Sequence, residues 1–363
     1  MRSTLLPPAA AAETMSQKKI KCVVWDLDHT VWSGILLEGD TLELRPGVRE
    51  LIEAFDERGI LQSVASRNES APAHEQLKKF GLEQYFLHPQ INWDPKSESV
   101  KRIAERLNIG LDTFAFIDDQ PFERDEVRFS VPAVRTYDAA DVERLQADLD
   151  FTPRVITEDA RCRRAMYQAD MVRQEEETSF KGPNDAFLAT LDMTFSFGPA
   201  TAADLLRVEE LVARTNQLNT TGRIYSYEEL AALRESPDHV LLVADLTDKH
   251  GPYGKIGVVL LQRTEGAWTI KLLLMSCRVM SRGVGGALIT LLRREAKAGG
   301  VRLLADFRAT DRNRMMYITY KFAGFSDLSE TDGTSLMEAD LNDIPELPSY
   351  LVVNSTWQGG SRG

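Results

Sequence analysis

The sequence predicts an α/β protein of two domains. Three observations carry that expectation. Short β-branched apolar runs alternate with amphipathic helical stretches over the first 150 residues, longer strand-forming runs follow after about residue 190, and 363 residues with 43% hydrophobic content exceed what one core ordinarily holds. From Lys21 to about Leu149 the order begins with a strand in "CVVWDL". A helix follows in "PGVRELIEAFDERG", with Pro46 near its start, Val48, Leu51, Ile52 and Phe55 on one face, and Gly59 at its end. Next come the strand "ILQSVAS", a helix around "PAHEQLKKFG", a short apolar segment near "YFLHPQI", a helix across "SESVKRIAERLN", the strand "TFAFID", and "AVRTY" before a last helix. Alternation of this kind implies a doubly wound parallel sheet whose ligands sit at the carboxyl ends of its strands.

Residues 151–190 are charged and weakly patterned ("RCRRAMYQADMVRQEEE") and read as a connector between a first domain at 19–150 and a second at 191–345. In the second domain the order is strand "MTFSF", helices "ADLLRVEELVARTN" and "YSYEELAALRE", and strands "HVLLVADL", "KIGVVLLQ" and "WTIKLLLMSC". A helix from Gly283, a strand "RLLADF" and a helix "NRMMYITYKFAG" complete it. Residues 1–18 read as a disordered leader and 346–363 as a loose tail.

Composition narrows the function. A formal charge of −12 and a pI near 5.1 argue against a broad nucleic-acid footprint, because phosphate backbones are gripped by clustered Lys and Arg. No apolar run approaches the roughly 20 residues of a membrane span, and the first residues lack the continuous apolar segment of a signal peptide. Cys22, Cys162 and Cys277 are too few and too scattered for a disulfide framework or a zinc site, which points to a reducing cytoplasm.

The first constellation is Asp26-x-Asp28-x-Thr30 at the end of the first strand. Ser66 ends the second strand, Lys96 opens the helix after "WDP", and Asp118 with Asp119 end the strand "FAFIDD". In a parallel sheet these ends converge on one crevice. Four carboxylates there call for a cation, and hard oxygen donors suit Mg²⁺. A metal-bound Asp26 can attack phosphorus while Asp28 serves as acid and base, with Ser66 and Lys96 holding the phosphoryl oxygens. The ensemble resembles the haloacid dehalogenase superfamily of phosphotransferases. That resemblance implies Asp26 as nucleophile, Asp28 as acid/base, Thr30, Ser66 and Lys96 at the phosphate, and Asp26, Asp28, Asp118 and Asp119 at the metal. The gaps from Thr30 to Ser66 and from Ser66 to Lys96 are each filled by one helix and its strand, so neither holds a sizeable cap.

The second constellation is a strand, then Arg282-Gly283-Val-Gly285-Gly286-Ala287, then an amphipathic helix. Glycines at a helix start let backbone N–H groups approach phosphate oxygens, although an ordinary strand-to-helix turn has the same look. The layout resembles the GNAT acyltransferases, whose turn binds the pyrophosphate of coenzyme A; the phosphopantetheine arm of an acyl carrier protein is chemically alike. Cys277 ends the strand leading into this turn, where a thiolate can accept an acyl group, with Arg278 and Arg282 nearby to favour the charged form. Cys22 and Cys162 read as structural. Asn216, Asn219, Thr220 and Thr221 in "RTNQLNTTGR" either hydrogen-bond a small hydroxylated acyl group or cap the helix. Arg308, Arg312 and Arg314 form either a patch for a phosphate or an acidic carrier helix, or a solvated face. His29 reads as an outward-pointing accessory.

A phosphotransferase-like half joined to an acyltransferase-like half, with "WDLDHTVWSG", "NWDPKSES", "FIDDQPFERDEV", "RTNQLN" and "MSCRV" in order, resembles the FkbH-like glyceryl transferase/phosphatases of polyketide pathways. The resemblance covers Lys21 to about Leu341. It implies 1,3-bisphosphoglycerate as substrate, Mg²⁺ as cofactor, a phosphopantetheinylated acyl carrier protein as partner, and no part for nucleic acid or membrane. The alternative is a capless phosphoprotein phosphatase with a GNAT-like targeting domain.

Overall fold

The computed structural model describes residues 19–153, 155–215 and 218–359. The leader read at 1–18 lies outside them. The chain divides into two compact units, Met1–Ile156 and Thr157–Gly363.

In the first unit five strands, β1 (Cys22–Trp25), β4 (Leu61–Ser66), β5 (Gln90–Ile91), β6 (Phe114–Asp118) and β7 (Arg135–Asp138), form a sheet in the order β5-β4-β1-β6-β7. Every pair in it is parallel. Helices α1 (Val48–Glu57), α2 (Ser70–Lys79), α3 (Lys96–Leu107), α4 (Pro121–Ser130) and the short α5 (Val142–Leu145) make the crossovers. β1 is buried along its whole length because strands flank it and helices cover it, and this is why "CVVW" is uniformly apolar rather than alternating. Val48, Leu51, Ile52 and Phe55 are the buried face of α1, as their spacing predicts. A small hairpin, β2 (Trp32–Ser33) with β3 (Glu43–Leu44), occupies the chain between Asp28 and α1. No other insertion interrupts the crossovers among the described residues.

The second unit holds an eight-stranded sheet in the order β13-β14-β12-β11-β10-β9-β8-β15. Its strands are β8 (Met193–Pro199), β9 (His239–Asp248), β10 (Gly251–Thr264), β11 (Ala267–Met275), β12 (Arg302–Arg308), β13 (Phe325–Thr331), β14 (Thr334–Ala339) and β15 (Leu351–Ser355). Only β11 with β12 and β8 with β15 run parallel. Along β10, Val258 and Leu260 join one core with Val208, Leu211 and Val212 of α9 (Leu205–Arg214) and Leu230 of α10 (Tyr227–Glu235). Val259 and Leu261 join the other, with Leu288 and Leu292 of α11 (Val284–Ala298), and α12 (Arg314–Phe322) adds Met316 and Tyr320 there. Burial on both faces explains the unbroken apolar runs of the central strands. The fold is thus the two-unit α/β class the sequence predicts, a parallel sheet without a large cap followed by a second unit built on a mixed sheet.

Two expectations change. The stretch expected to be a connector begins the second unit: α6 (Glu158–Arg161), α7 (Arg163–Ser179) and α8 (Asn184–Ala189) lie in it. α7 is anchored by Arg173, which is fully buried, donates to both oxygens of Asp248 at 2.7 and 2.8 Å, and stacks 3.8 Å from the ring of Tyr253. The weak apolar pattern of α7 follows, since its anchors are charged side chains. The expected loose tail instead adds β15 to the sheet edge and buries Trp357 against Phe197 and Trp268.

Candidate functional site

In the first unit the sheet order sets β1 between β4 and β6, so Asp26, Ser66 and Asp118 follow or end three neighbouring strands. Lys96, at the start of α3, reaches under them. Its ammonium bonds the Asp26 carboxylate and donates to the Ala65 carbonyl at 2.8 Å and to Asp118 Oδ2 at 3.3 Å. Burial works against that charge, but Asp26 and Asp118 outweigh it and hold the ammonium above the ordinary lysine range. Oxygens of Asp26, Asp118 and Asp119 lie within 4.8 Å of one another. Burial and then the Asp26 carboxylate push both Asp118 and Asp119 upward, so Lys96 alone leaves this group short of positive charge. Three hard oxygen donors at this spacing fit Mg²⁺.

Two residues of the motif take different places from those expected. The Asp28 carboxylate is not one of the three clustered acids: Oδ1 accepts from Trp32 Nε1 at 2.8 Å and from the Leu36 N–H at 3.2 Å, and Oδ2 accepts from Asn68 Nδ2 at 3.0 Å. Burial raises its pKa more than the bonds from Trp32 and Leu36 lower it. Thr30 is buried and its hydroxyl bonds Asp119, accepting from its N–H at 3.1 Å and donating to Oδ1 at 3.4 Å, so it braces one of the clustered acids. Ser66 is buried at the end of β4 as expected. His29 is exposed at φ 55°.

Sequence reading missed Trp32 and Asn68, the donors that orient Asp28, and Glu123, whose buried carboxylate pairs with Arg67 at 2.8 Å. Asn68 stands two residues past Ser66, and an amide just after a strand-end serine was the available signal. Glu123 had only its place in the first turn of α4.

In the second unit the glycine turn lies where it was expected. Gly283 caps α11 at φ 74°, and a Cβ there would meet the Tyr350 hydroxyl at 2.2 Å. Cβ atoms on Gly285 or Gly286 would meet nothing within 4 Å. Both line a cavity of about 120 Å³ with Leu218, Met275, Ser276 and Met316.

The two arginine side chains are bonded elsewhere. Arg282 is buried and donates to Glu177 of α7 at 3.0 Å, while Arg278 donates to the Tyr253 carbonyl at 2.7 Å and lies 5.8 Å from the ring of Tyr167. Cys277 follows β11 on a short turn, is half-buried, and does not line the glycine cavity. Its electrostatic neighbour is Tyr167. Cys22 is fully buried, and burial pushes its thiol far up; Cys162 is exposed.

Asn219 and Thr220 do not cap α9, which ends at Arg214. β11 and β12 pair only from Ala267 to Ile270 and then part. The segment around Asn219 fills the gap: the Thr220 N–H donates to the Leu273 carbonyl, the Arg308 N–H donates to the Thr220 carbonyl, and the Thr220 hydroxyl accepts from the Leu273 N–H. Asn219 Oδ1 accepts from the N–H groups of Thr221 and Gly222 at 3.1 and 2.9 Å. Asn216 lies outside the described residues. Arg308, Arg312 and Arg314 are exposed.

A family model for haloacid dehalogenase-like hydrolases matches residues 33–123, which include Ser66, Lys96, Asp118 and Asp119 and begin after Asp26 and Asp28. The chain is similar to the N-terminal part of the protein BF1531 from Bacteroides fragilis, which contains a phosphatase domain complexed with Mg. Identity is 28%, the TM-score 0.32, and the match covers 38% of this chain and 41% of that one, about two fifths of its length. The chain is also similar to the ribosomal-protein-S18-alanine N-acetyltransferase of Escherichia coli (17% identity, TM-score 0.33, covering 42% of this chain and 97% of that one). A further similarity is to the PaiA N-acetyltransferase of Thermoplasma acidophilum in complex with coenzyme A (16% identity, TM-score 0.33, 40% of this chain and 98% of that one). No curated relative matches. No helix among the described residues is long and apolar enough to cross a membrane.

Proposed function

We propose that this chain is a cytoplasmic glyceryl transferase/phosphatase. It takes the glyceryl unit of 1,3-bisphosphoglycerate onto Cys277, removes the 3-phosphate at Asp26, and delivers the unit to the phosphopantetheine thiol of an acyl carrier protein as a polyketide building block. The observation that carries the phosphatase half is the convergence of Asp26, Asp118 and Asp119 at adjoining strand ends, with Lys96 bonded to the first two. The acyl-transfer half is supported by the half-buried Cys277 on the short turn after β11, in the stretch that leads to Gly285 and Gly286, where Cβ positions are open.

At the crevice, Asp26, Asp118 and Asp119 would hold Mg²⁺, which when bound offsets their charge and draws the phosphoryl oxygens into place. Asp26 attacks phosphorus, and Asp28, poised by Trp32 and Asn68, gives its proton to the departing glyceryl oxygen and later takes one from the water that hydrolyses the aspartyl-phosphate. Lys96 steadies Asp26 throughout. At Cys277 the thiolate displaces phosphate from the acyl phosphate, and the pantetheine sulfur then displaces the cysteine sulfur from the thioester.

Incubating the protein with 1,3-bisphosphoglycerate and candidate carriers, then weighing each species intact, tests the proposal. Cys277→Ala is expected to abolish the acyl-enzyme, and Asp26→Asn to leave any acyl product phosphorylated; an unchanged adduct on Cys277→Ala removes Cys277 from the mechanism. The commitment of Arg278 and Arg282 beneath α7 favours a second reading, a capless phosphoprotein phosphatase with a targeting unit. Hydrolysis of phosphopeptides without dependence on a carrier would support that reading instead.

A further inference from the structure

An ion pair beside the first unit's crevice has no part in the steps above. Arg67 follows Ser66 at the end of β4, and Glu123 lies in the first turn of α4, just past Asp118 and Asp119 at the end of β6. Their 2.8 Å contact ties together the ends of the two strands that flank β1, the strand that leads into Asp26. Glu123 is close enough to Lys96 to help hold its ammonium charged. Site residues also bracket Arg67 in sequence: Ser66 precedes it, and Asn68 after it donates to Asp28 at 3.0 Å.

The two partners are unequally covered. The Glu123 side chain is 7% exposed and the Arg67 side chain 36%. Glu123 gives one oxygen to Arg67, and its other oxygen is buried without a hydrogen-bond partner. Arg67 has its Nε buried and unbonded, and its side chain makes no further ion pair or hydrogen bond among the described residues. A pair with orphaned atoms on both sides is a poor strut, because desolvation offsets most of its attraction. What it does supply is a fixed cation: a carboxylate held out of water sets the direction of the guanidinium, whose exposed part then presents its donors in one orientation.

We infer that Arg67 reads the organic part of the phosphate ester, donating to a carbonyl or carboxylate oxygen a few bonds beyond the ester oxygen, and that Glu123 positions it. The inference rests on Asp26 being the phosphoryl acceptor. In the proposed reaction Ser66 and Lys96 serve the phosphoryl group and Asp28 serves the departing oxygen, so none of them meets the rest of the ester. Arg67 stands between Ser66 and the Asn68 that holds Asp28, on the side where that remainder leaves. A planar guanidinium matches the in-plane lone pairs of an sp² oxygen, and an ester without such an oxygen leaves its donors unanswered. The substrate class is a phosphomonoester whose carbon chain carries an acyl or carboxyl group.

The test gives the full chain three esters with Mg²⁺ and follows phosphate release: 3-phosphoglycerate, its methyl ester, and glycerol 3-phosphate, which lacks the carbonyl. Both carbonyl-bearing esters are expected to exceed glycerol 3-phosphate by at least about tenfold in kcat/KM, mainly through KM, as the loss of one charge-assisted hydrogen bond implies. A lead for the free acid over its methyl ester supports a carboxylate as the group read, and parity supports an acyl carbonyl. Arg67→Gln is expected to erase the preference and Arg67→Lys to restore part of it. Glu123→Gln, the second variant should Arg67→Gln fail to fold, is expected to weaken the preference in KM more than it lowers kcat. Equal use of the three esters by the unaltered protein, or variants that slow all three alike, overturns the role of Arg67 while leaving Asp26 as acceptor. Release from none of the three overturns the phosphatase reading, and the inference with it.

Discussion

Lys96 and Glu210 are mirror images. One is a buried cation between two acids, the other a carboxylate among three arginines. The motif reveals Lys96, since a lysine opening a helix after a strand-end serine has a chemical reason to be there. Glu210 carries no such mark in the sequence, because its partners come from α7 and from its own helix. Burial would raise its pKa, but Arg163, Arg207 and Arg214 outweigh burial and pull it down to about 2. A carboxylate depressed in the folded state contributes stability above its unfolded pKa, near 4.5. That contribution, on the order of 3 kcal/mol, is lost as pH falls from there toward 2. Chemical denaturation at pH 6 and pH 3 should show the loss, and Glu210→Gln should flatten it; an equal drop in the variant would assign the acid sensitivity elsewhere.

Among elements, α7 and β15 show where pattern reading stops. α7 has Met166 as its buried apolar residue, and Arg163 and Arg173 are its buried polar ones. A helix held by a bidentate Arg–Asp clasp looks solvent-exposed to any test of hydrophobic periodicity. Its tertiary role is nonetheless specific, because Asp248 ends β9 and also accepts from the Tyr253 hydroxyl at 2.9 Å. Arg173→Met should destabilise the second unit by roughly 3–5 kcal/mol, since it leaves Asp248 buried without its cation. Thermal unfolding followed by Trp fluorescence would read this, and an unchanged midpoint would show that α7 is not clasped. β15 escaped notice because five residues after a proline-rich stretch carry little strand signal until β8 offers them a partner edge.

Over the whole molecule, the two units have separate cores, and the two proposed chemistries have different requirements. Chelating divalent cations should stop phosphoester hydrolysis yet still permit the Cys277 adduct, which intact mass would show retaining its phosphate. Loss of both products together would tie the cation to acyl transfer as well. The sequence by itself determined the strand and helix order, the absence of room for a large cap, and the convergence of Asp26, Ser66, Lys96, Asp118 and Asp119, because all of these follow from local periodicity and from where a parallel sheet puts its strand ends. Only the tertiary structure decided that Asp28 bonds Trp32 and Asn68, that Asn219 and Thr220 fill the gap between β11 and β12, and that Arg278 and Arg282 meet Tyr167 and Glu177 of α7. The reason is physical: a side chain's direction is settled by hydrogen-bond partners distant in sequence, and neither spacing nor composition records them.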